Sequence, residues 1–342
     1  MKQTCNANEY YYRRVVSSIG IAMLSFLLFM NLIMGGVQLF GMWMQRLPLS
    51  AVAYTVIYQL LYAAGYLLTF MLPVAVLKAC ISGYGFQYQP MKCGIRLSKW
   101  LFPIIFGGMV LIWAQAYLNA SLVSIFNYSE FSSAVIWSNG DSMEGYQIVL
   151  NFIVMCLVPA FCEEFLFRGA ILTNCLPFGR GNAILISALL FGLMHQNAEQ
   201  ILYAFAAGIL LGVVYERTGS IWNCTFLHLV NNFSSTAIAV IAQQFGWRRA
   251  DAVGIALEGI VAVVGLICIA LLVVYLSPKK QQFRDGVFGK SVPAADDYAA
   301  YPVSAKKAFR LFLNFPMVLF LSLCALQIVT LIGWSVLYAL FG

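Results

Sequence analysis

Uncharged apolar stretches long enough to cross a membrane recur along this chain, and they constrain its fold more than any other feature. A run of about 20 apolar residues spans a hydrocarbon core of about 30 Å as an α-helix. Soluble domains carry about 25% charged residues, whereas only 10% of these 342 residues are charged and 62% are hydrophobic. The sequence therefore predicts an all-α polytopic membrane protein and excludes a soluble globule, a disordered chain and a disulfide-rich secreted scaffold.

Nine apolar runs are predicted to form transmembrane helices. They cover residues 15–40, 51–77, 101–126, 147–174, 182–196, 199–215, 221–244, 253–277 and 316–341. The first run is longer than the apolar core of about 7–15 residues found in cleaved signal peptides, so it is predicted to be retained.

The predicted helices divide the chain into three sections. Residues 1–144 form an N-terminal membrane section of three helices, and residues 145–245 form a central helix core. Residues 246–342 hold the C-terminal membrane helices, separated by the longest polar stretch of the chain, 278–314. This stretch is poor in periodic apolar residues and is predicted to be a flexible cytosolic loop.

The positions of the basic residues predict the orientation of the chain. The net charge is +7, but Lys and Arg fall in short clusters between apolar runs, which disfavours nucleic-acid binding. With a cytosolic N-terminus, 17 of the 20 basic residues lie on the inside, and the external loop over 127–146 has none. The positive-inside rule therefore predicts an integral membrane protein with a cytosolic N-terminus and an external C-terminus.

Ionisable side chains at membrane depth are concentrated in the central section, on three predicted helices. Such groups are costly in a bilayer and indicate function. Both histidines of the chain are among them, and a spacing of four residues places Glu164 with Arg168, and His228 with Asn232, on one helix face. The candidate site residues are Glu163, Glu164, Arg168, His195, His228 and Asn232.

These residue types are suited to hydrolysis of a carbonyl compound. A carboxylate that faces an imidazole can activate water, with the carboxylate taking the proton and the imidazole orienting the water or protonating the leaving group. A histidine and an asparagine one turn apart can donate two hydrogen bonds to a developing oxyanion. The cluster therefore predicts a hydrolase.

With these residues the chain resembles the CPBP intramembrane protease family, which includes the CAAX prenyl proteases and many bacterial members tied to bacteriocin immunity. The family pattern is E-E-x-x-x-R, then F-x-x-x-H, then H-x-x-x-N, each on its own membrane helix. All signature positions match here, over roughly residues 145–245. They are Glu163, Glu164 and Arg168, then Phe191 and His195, then His228 and Asn232.

The resemblance implies an intramembrane endopeptidase with a central core of protease helices. It implies that Glu163 and His195 activate water, while His228 and Asn232 hold the oxyanion. The implied partners are a membrane-associated protein or peptide substrate and the lipid bilayer, in the plasma membrane of a bacterium. No cofactor is expected.

Zinc is an alternative to metal-free water activation. Glu163, His195 and His228 would supply the two imidazoles and one carboxylate of a known catalytic zinc set. The metal-free mechanism is favoured because His228 is paired with Asn232, whereas a ligand histidine usually has a carboxylate or carbonyl partner. The chain has no H-E-x-x-H pattern, and Cys162 as a nucleophile lacks an assigned base.

A second class of function uses the same buried polar residues without hydrolysis. The chain would then be a non-catalytic membrane immunity or scaffold protein, or a transporter. Many transporters are built from inverted repeats, and no internal repeat is visible here, which disfavours that reading.

Overall fold

The computed structural model describes residues 7–94, 101–125, 143–196, 198–276 and 301–341. Within these ranges the regular elements are helices, and the one β pairing is an isolated bridge between Cys93 and Ser220. The predicted all-α class is therefore confirmed.

Ten helices follow one another in the described part of the chain. They are α1 (Ala7–Met44), α2 (Ala51–Gly83), α3 (Leu101–Ile125), α4 (Gly145–Phe178), α5 (Arg180–Met194), α6 (Ala198–Thr218), α7 (Ile221–Phe245), α8 (Trp247–Leu276), α9 (Ala305–Phe312) and α10 (Phe315–Phe341).

The helices confirm a polytopic membrane protein but not the predicted count of nine spans. Six of those described, α1, α2, α4, α6, α7 and α8, are long and apolar enough to cross a membrane, and the bent pair of α9 and α10 would make a seventh. Helix α5 has 15 residues, so it rises only about 22 Å and is shorter than the hydrocarbon core. The predicted orientation remains a prediction.

Helix α4 contains a π-helical stretch, Ile153–Leu157, directly before Pro159. Proline has no backbone N–H, so it cannot donate a hydrogen bond to the carbonyl of Met155 one turn earlier. A wider π turn is one way for a helix to take up such an interruption. The helix therefore continues past its proline toward the candidate site.

A second π-helical stretch of α4, Phe165–Leu172, is supported by hydroxyl groups. Ser187 Oγ donates to the carbonyl of Phe167 at 2.9 Å, and Thr173 Oγ1 donates to the carbonyl of Arg168 at 2.8 Å. Buried carbonyls need such partners because no water reaches them inside a bilayer.

Helix α4 lies at the centre of the bundle, where α2, α5, α6 and α7 all pack against it. Helices α5 and α6 form a tight hairpin in which Gly208 lies against Ala188; a Cβ on Gly208 would come within 2.9 Å of Ala188 Cα. Small residues allow such close helix packing in membranes. Helices α3 and α8 pack on each other, and α1 packs on α2, α9 and α10.

The prediction of a flexible loop over 278–314 is wrong at its C-terminal end; residues 277–300 lie outside the described ranges. Tyr301 N donates to Pro177 O at 2.9 Å, and Val303 N donates to Phe178 O at 3.2 Å. Helix α9 follows and packs on α1. A helix of eight residues is too short to give a clear periodic signal, and it forms here against a surface that the rest of the bundle supplies.

Candidate active site

Glu163 is buried on α4, and its two carboxylate oxygens have different surroundings. Tyr66 Oη on α2 donates a hydrogen bond to Glu163 Oε1 at 2.5 Å. Glu163 Oε2 is buried and has no hydrogen-bond partner among the described residues. His228 Nε2 on α7 lies 3.8 Å from this oxygen. One oxygen is therefore held in place, and the other is an acceptor that no described side chain uses.

Glu164 is fully buried and binds two cationic or potentially cationic side chains. Its Oε1 accepts a hydrogen bond from Arg168 at 2.7 Å and lies 2.9 Å from His228 Nδ1. A carboxylate accepts hydrogen bonds, so Nδ1 of His228 carries the proton and Nε2 is directed toward Glu163. Glu164 thereby orients the imidazole.

The guanidinium of Arg168 connects α4 to the α5–α6 hairpin. It is fully buried, donates from Nη2 to the carbonyl of Gly208 at 3.1 Å, and lies over the ring of Phe191 at 4.4 Å. Together with the bond to Glu164, these contacts make Arg168 a support for the cluster. The predicted shared face of Glu164 and Arg168 is confirmed by their ion pair.

His195 directly follows α5, and its Nδ1 lies 2.9 Å from the carbonyl of Phe191. The ring of Phe191 packs edge-on against both histidine rings, with centroids 5.3 Å from His195 and 5.8 Å from His228. Residues of α4, α5 and α7 are thus brought together. In the part of the chain described here, Glu163 and His195 share no hydrogen bond, and the imidazole within 4 Å of Glu163 is that of His228.

A polar cavity of about 370 Å³ opens beside Glu163. A water molecule occupies about 30 Å³ in the liquid, so the cavity has room for several waters or a few atoms of a substrate. Asn232 is part of its wall, so the cavity joins this residue to Glu163. The lining residues are Tyr62, Tyr66, Val154, Met155, Pro159, Glu163, Gln200, Asn232, Ser235 and Thr236.

An apolar groove of about 530 Å³ runs between α4 and α7. Cys156 in its wall donates to Thr236 Oγ1 at 3.2 Å, and Thr236 also lines the polar cavity. The contact between Cys156 and Thr236 therefore lies at the boundary between the groove and the cavity. The groove is lined by Val149, Phe152, Ile153, Cys156, Leu157, Phe226, Leu229, Val230 and Phe233.

Tyr62 and Tyr66 are site residues that sequence reasoning missed. They belong to α2, well before the motifs, and both line the polar cavity. The available signal was a row of four tyrosines in one apolar helix, each four residues from the next, of which Tyr62 and Tyr66 are the last two. Tyrosine is also common at membrane interfaces, so this signal did not point to a site.

The zinc alternative is not matched by the geometry of the described residues, where no three His, Cys, Asp or Glu side chains are placed to hold a metal ion. The reason given from sequence against zinc is nevertheless wrong. His228 has a carboxylate partner in Glu164, as a zinc-ligand histidine would. Metal-free chemistry therefore remains a prediction.

Comparison with known proteins gives two matches. Residues 145–234 match the profile of the family described as type II CAAX prenyl endopeptidase Rce1-like. Over 139 residues the chain is 28% identical to the Putative membrane peptidase YdiL of Bacillus subtilis (strain 168), which covers 36% of this chain and 54% of that protein. No solved structure matches significantly.

These matches confirm the predicted resemblance to the CPBP intramembrane proteases. The segment that matches the family contains α4, α5, α6 and the first half of α7, and therefore all six candidate residues. Tyr66 lies outside it. The chain spans about half the length of its curated relative.

Proposed function

We propose that this chain is a CPBP-type intramembrane endopeptidase that hydrolyses a peptide bond of a membrane-associated substrate, in a bacterial plasma membrane and with its N-terminus in the cytosol. The observation that carries the proposal is the buried Oε2 of Glu163, which has no partner among the described residues, in a cavity that Asn232 also lines. The match to a protease family supports the same chemistry.

Water activation is assigned to Glu163. The 3.8 Å between Glu163 Oε2 and His228 Nε2 is too long for a hydrogen bond, so this oxygen keeps its capacity to accept a hydrogen bond from a water molecule. Glu163 takes a proton from this water while the water oxygen attacks the carbonyl carbon of the substrate. His195, on the adjoining helix end, orients the water or protonates the leaving amine.

The oxyanion is assigned to His228 and Asn232. Glu164 binds Nδ1 of His228, so that Nε2 is directed toward Glu163, which lines the cavity. A proton on Nε2 in addition to the one on Nδ1 would let His228 donate from both nitrogens. Its Nε2–H and the amide of Asn232 would then donate to the developing negative charge.

The apolar groove supports a substrate that reaches the site from within the bilayer. Its lining residues are all apolar, and it lies one side-chain contact away from the polar cavity. An apolar segment of a membrane-associated protein or peptide could lie in the groove while its scissile bond enters the cavity.

The proposed function is tested by comparing membranes that contain the wild-type chain with membranes that contain the Glu163→Gln variant. Terminal proteomics should find at least one new peptide end that appears only with the wild-type chain. Identical sets of peptide ends, with both proteins folded and equally abundant, would favour the non-catalytic scaffold.

We expect Asn232→Ala to lower kcat about 10²–10³-fold, because it removes one donor to the oxyanion. Substrate binding should change little, since the donor acts mainly in the transition state. Steady-state kinetics on a peptide substrate found in the proteomic comparison measures both parameters. Asn231→Ala tests whether Asn232 must be oriented: Asn231 Nδ2 donates to Asn232 Oδ1 at 3.4 Å but does not line the cavity, so its loss should lower kcat less than the loss of Asn232. A wild-type kcat in Asn232→Ala would remove the oxyanion role from Asn232.

We expect Tyr66→Phe to lower kcat about 10–100-fold with KM nearly unchanged. The hydroxyl that fixes Glu163 Oε1 is lost, and a hydrogen bond to a charged group contributes about 1.5–3 kcal/mol. Tyr58→Phe, on the same helix but outside the cavity lining, is the control and should leave kcat unchanged. A Tyr66→Phe enzyme with wild-type kcat would show that Glu163 does not need this support.

We expect the purified protein to keep its activity after exhaustive treatment with a strong chelator. The reason is that the donors of the zinc alternative are not arranged around a common point in the described structure. Elemental analysis of the same sample should find much less than one zinc per chain. Loss of activity on chelation and its return with zinc would establish a metalloenzyme that uses the same residues.

A further inference from the structure

Helix α9 lies across the end of the bundle rather than along it. Its axis is bent by 72° from that of α10, which follows after two residues. An α10 that crosses the bilayer along its normal would place α9 close to the membrane plane. The segment before α9 is hydrogen-bonded to Pro177 and Phe178, so α9 is located at the end of the bundle where α4 ends.

The faces of α9 differ sharply. Ala308 and Phe312 are buried and face the bundle, where α9 packs on α1. Phe309 and Leu313 lie next to this face and are 67% and 46% exposed. Phe309 on α9 and Leu313, the residue that directly follows the helix, together form one exposed apolar stripe beside the buried face.

Two cations lie beside the apolar stripe. Lys306 and Arg310 are exposed, four residues apart on the sector that follows Phe309 and Leu313 around the helix. Neither forms an ion pair with any residue that the structure describes, whereas the neighbouring Lys307 pairs with Glu9 at 2.5 Å. Two cations are therefore available to an anion outside the bundle.

Around α9 a buried face is followed by an apolar stripe and then by two cations, and this order fits a helix at the surface of a bilayer. A helix in the membrane plane that carries large apolar side chains next to cations is typical of interfacial helices, which bury the apolar side chains among lipid tails. The cations then lie at the level of the phosphates, and each contributes to binding of anionic lipid. Phe315, at the start of α10 and 79% exposed, extends the apolar surface toward the membrane.

We propose that α9 binds anionic phospholipid headgroups through Lys306 and Arg310, while Phe309 and Leu313 insert among the acyl chains. The expected orientation of the chain places this helix at the cytosolic leaflet, whose surface is negatively charged. The interaction surface is separate from the proposed protease site, so either can fail without the other.

The proposal is tested by native mass spectrometry of the full chain, released from nanodiscs of phosphatidylcholine that contain phosphatidylglycerol. The wild-type chain should retain phosphatidylglycerol in preference to phosphatidylcholine. Lys306→Gln/Arg310→Gln should weaken this retention on the order of 10–30-fold, from about 1 kcal/mol for each cation. Both side chains are exposed, so the melting temperature should stay the same.

The matched control is Arg248→Gln/Arg249→Gln, which removes the same charge from two exposed residues at the start of α8. They lie at the other end of the bundle, near the contact of Gln244 with Met143. This variant should retain phosphatidylglycerol like the wild type. Equal retention by the α9 variant and the wild type, or an equal loss in the control, would overturn the proposal.

Phe309→Ser/Leu313→Ser tests the apolar half of the proposal, since it leaves both cations in place. It should weaken retention of phosphatidylglycerol and phosphatidylcholine alike. Unchanged retention of both lipids would show that the stripe does not insert among the acyl chains.

Discussion

Replacement of Glu163 by glutamine is expected to abolish turnover, with a loss of at least about 10³-fold, and to leave the protein folded. General-base catalysis contributes about 10²–10⁴-fold. Glutamine has nearly the same shape and still offers a carbonyl oxygen to Tyr66 Oη, which now donates to Glu163 Oε1. It replaces the basic Oε2 by an amide that cannot take a proton from water.

The measurement is single-turnover cleavage of an identified peptide substrate, with thermal unfolding of the same samples in detergent. Glu258→Gln is the matched control, because Glu258 on α8 is also a membrane-helix glutamate bonded to a tyrosine, Tyr117. It lies outside the cavity lining, so its loss should leave turnover unchanged. Cleavage at the wild-type rate by Glu163→Gln would make Glu163 structural and would refute the proposed water activation.

Replacement of Arg168 by alanine is expected to destabilise the protein by about 3–5 kcal/mol. Removing one partner of a buried ion pair leaves the other charge without compensation, and here Glu164 is fully buried. The carbonyl of Gly208 and the ring of Phe191 lose a partner at the same time. We expect a large fall in melting temperature and in the yield of folded protein.

A variant that removes both charges, Glu164→Gln/Arg168→Met, distinguishes an uncompensated charge from lost packing. It should be more stable than Arg168→Ala, because no unpaired carboxylate remains buried. Arg180 forms an ion pair with the buried Glu216. Arg180→Ala should cost less than Arg168→Ala, because Glu216 keeps a second partner in Arg217 at 3.2 Å. A melting temperature of Arg168→Ala equal to that of the wild type would show that the buried ion pair does not support the bundle.

Sequence reasoning succeeded where the physical signal is local. Runs of apolar residues gave every long helix of the described chain, because the cost of exposing a backbone to lipid leaves the helix as the only way to bury it. The predicted count of nine spans is not confirmed, and α5 is one reason: it begins close to where it was predicted but is shorter than the hydrocarbon core. At α9 the polar composition concealed a helix that depends on α1 for its apolar contacts.

Apolar runs and motif spacing are enough to predict a bundle of membrane helices and to assign the six motif residues to its central section, where five lie on helices and His195 directly follows α5. Which of these side chains meet depends on the tertiary structure. Glu163 is bonded to Tyr66 and lies within 4 Å of His228, whereas His195 was the expected neighbour. Glu164 of α4 contacts His228 of α7. These contacts depend on how each helix is rotated and how far it is displaced along its neighbours. The π turns of α4 and its packing against α2 and α7 set both quantities, and neither can be obtained from residue spacing along one helix.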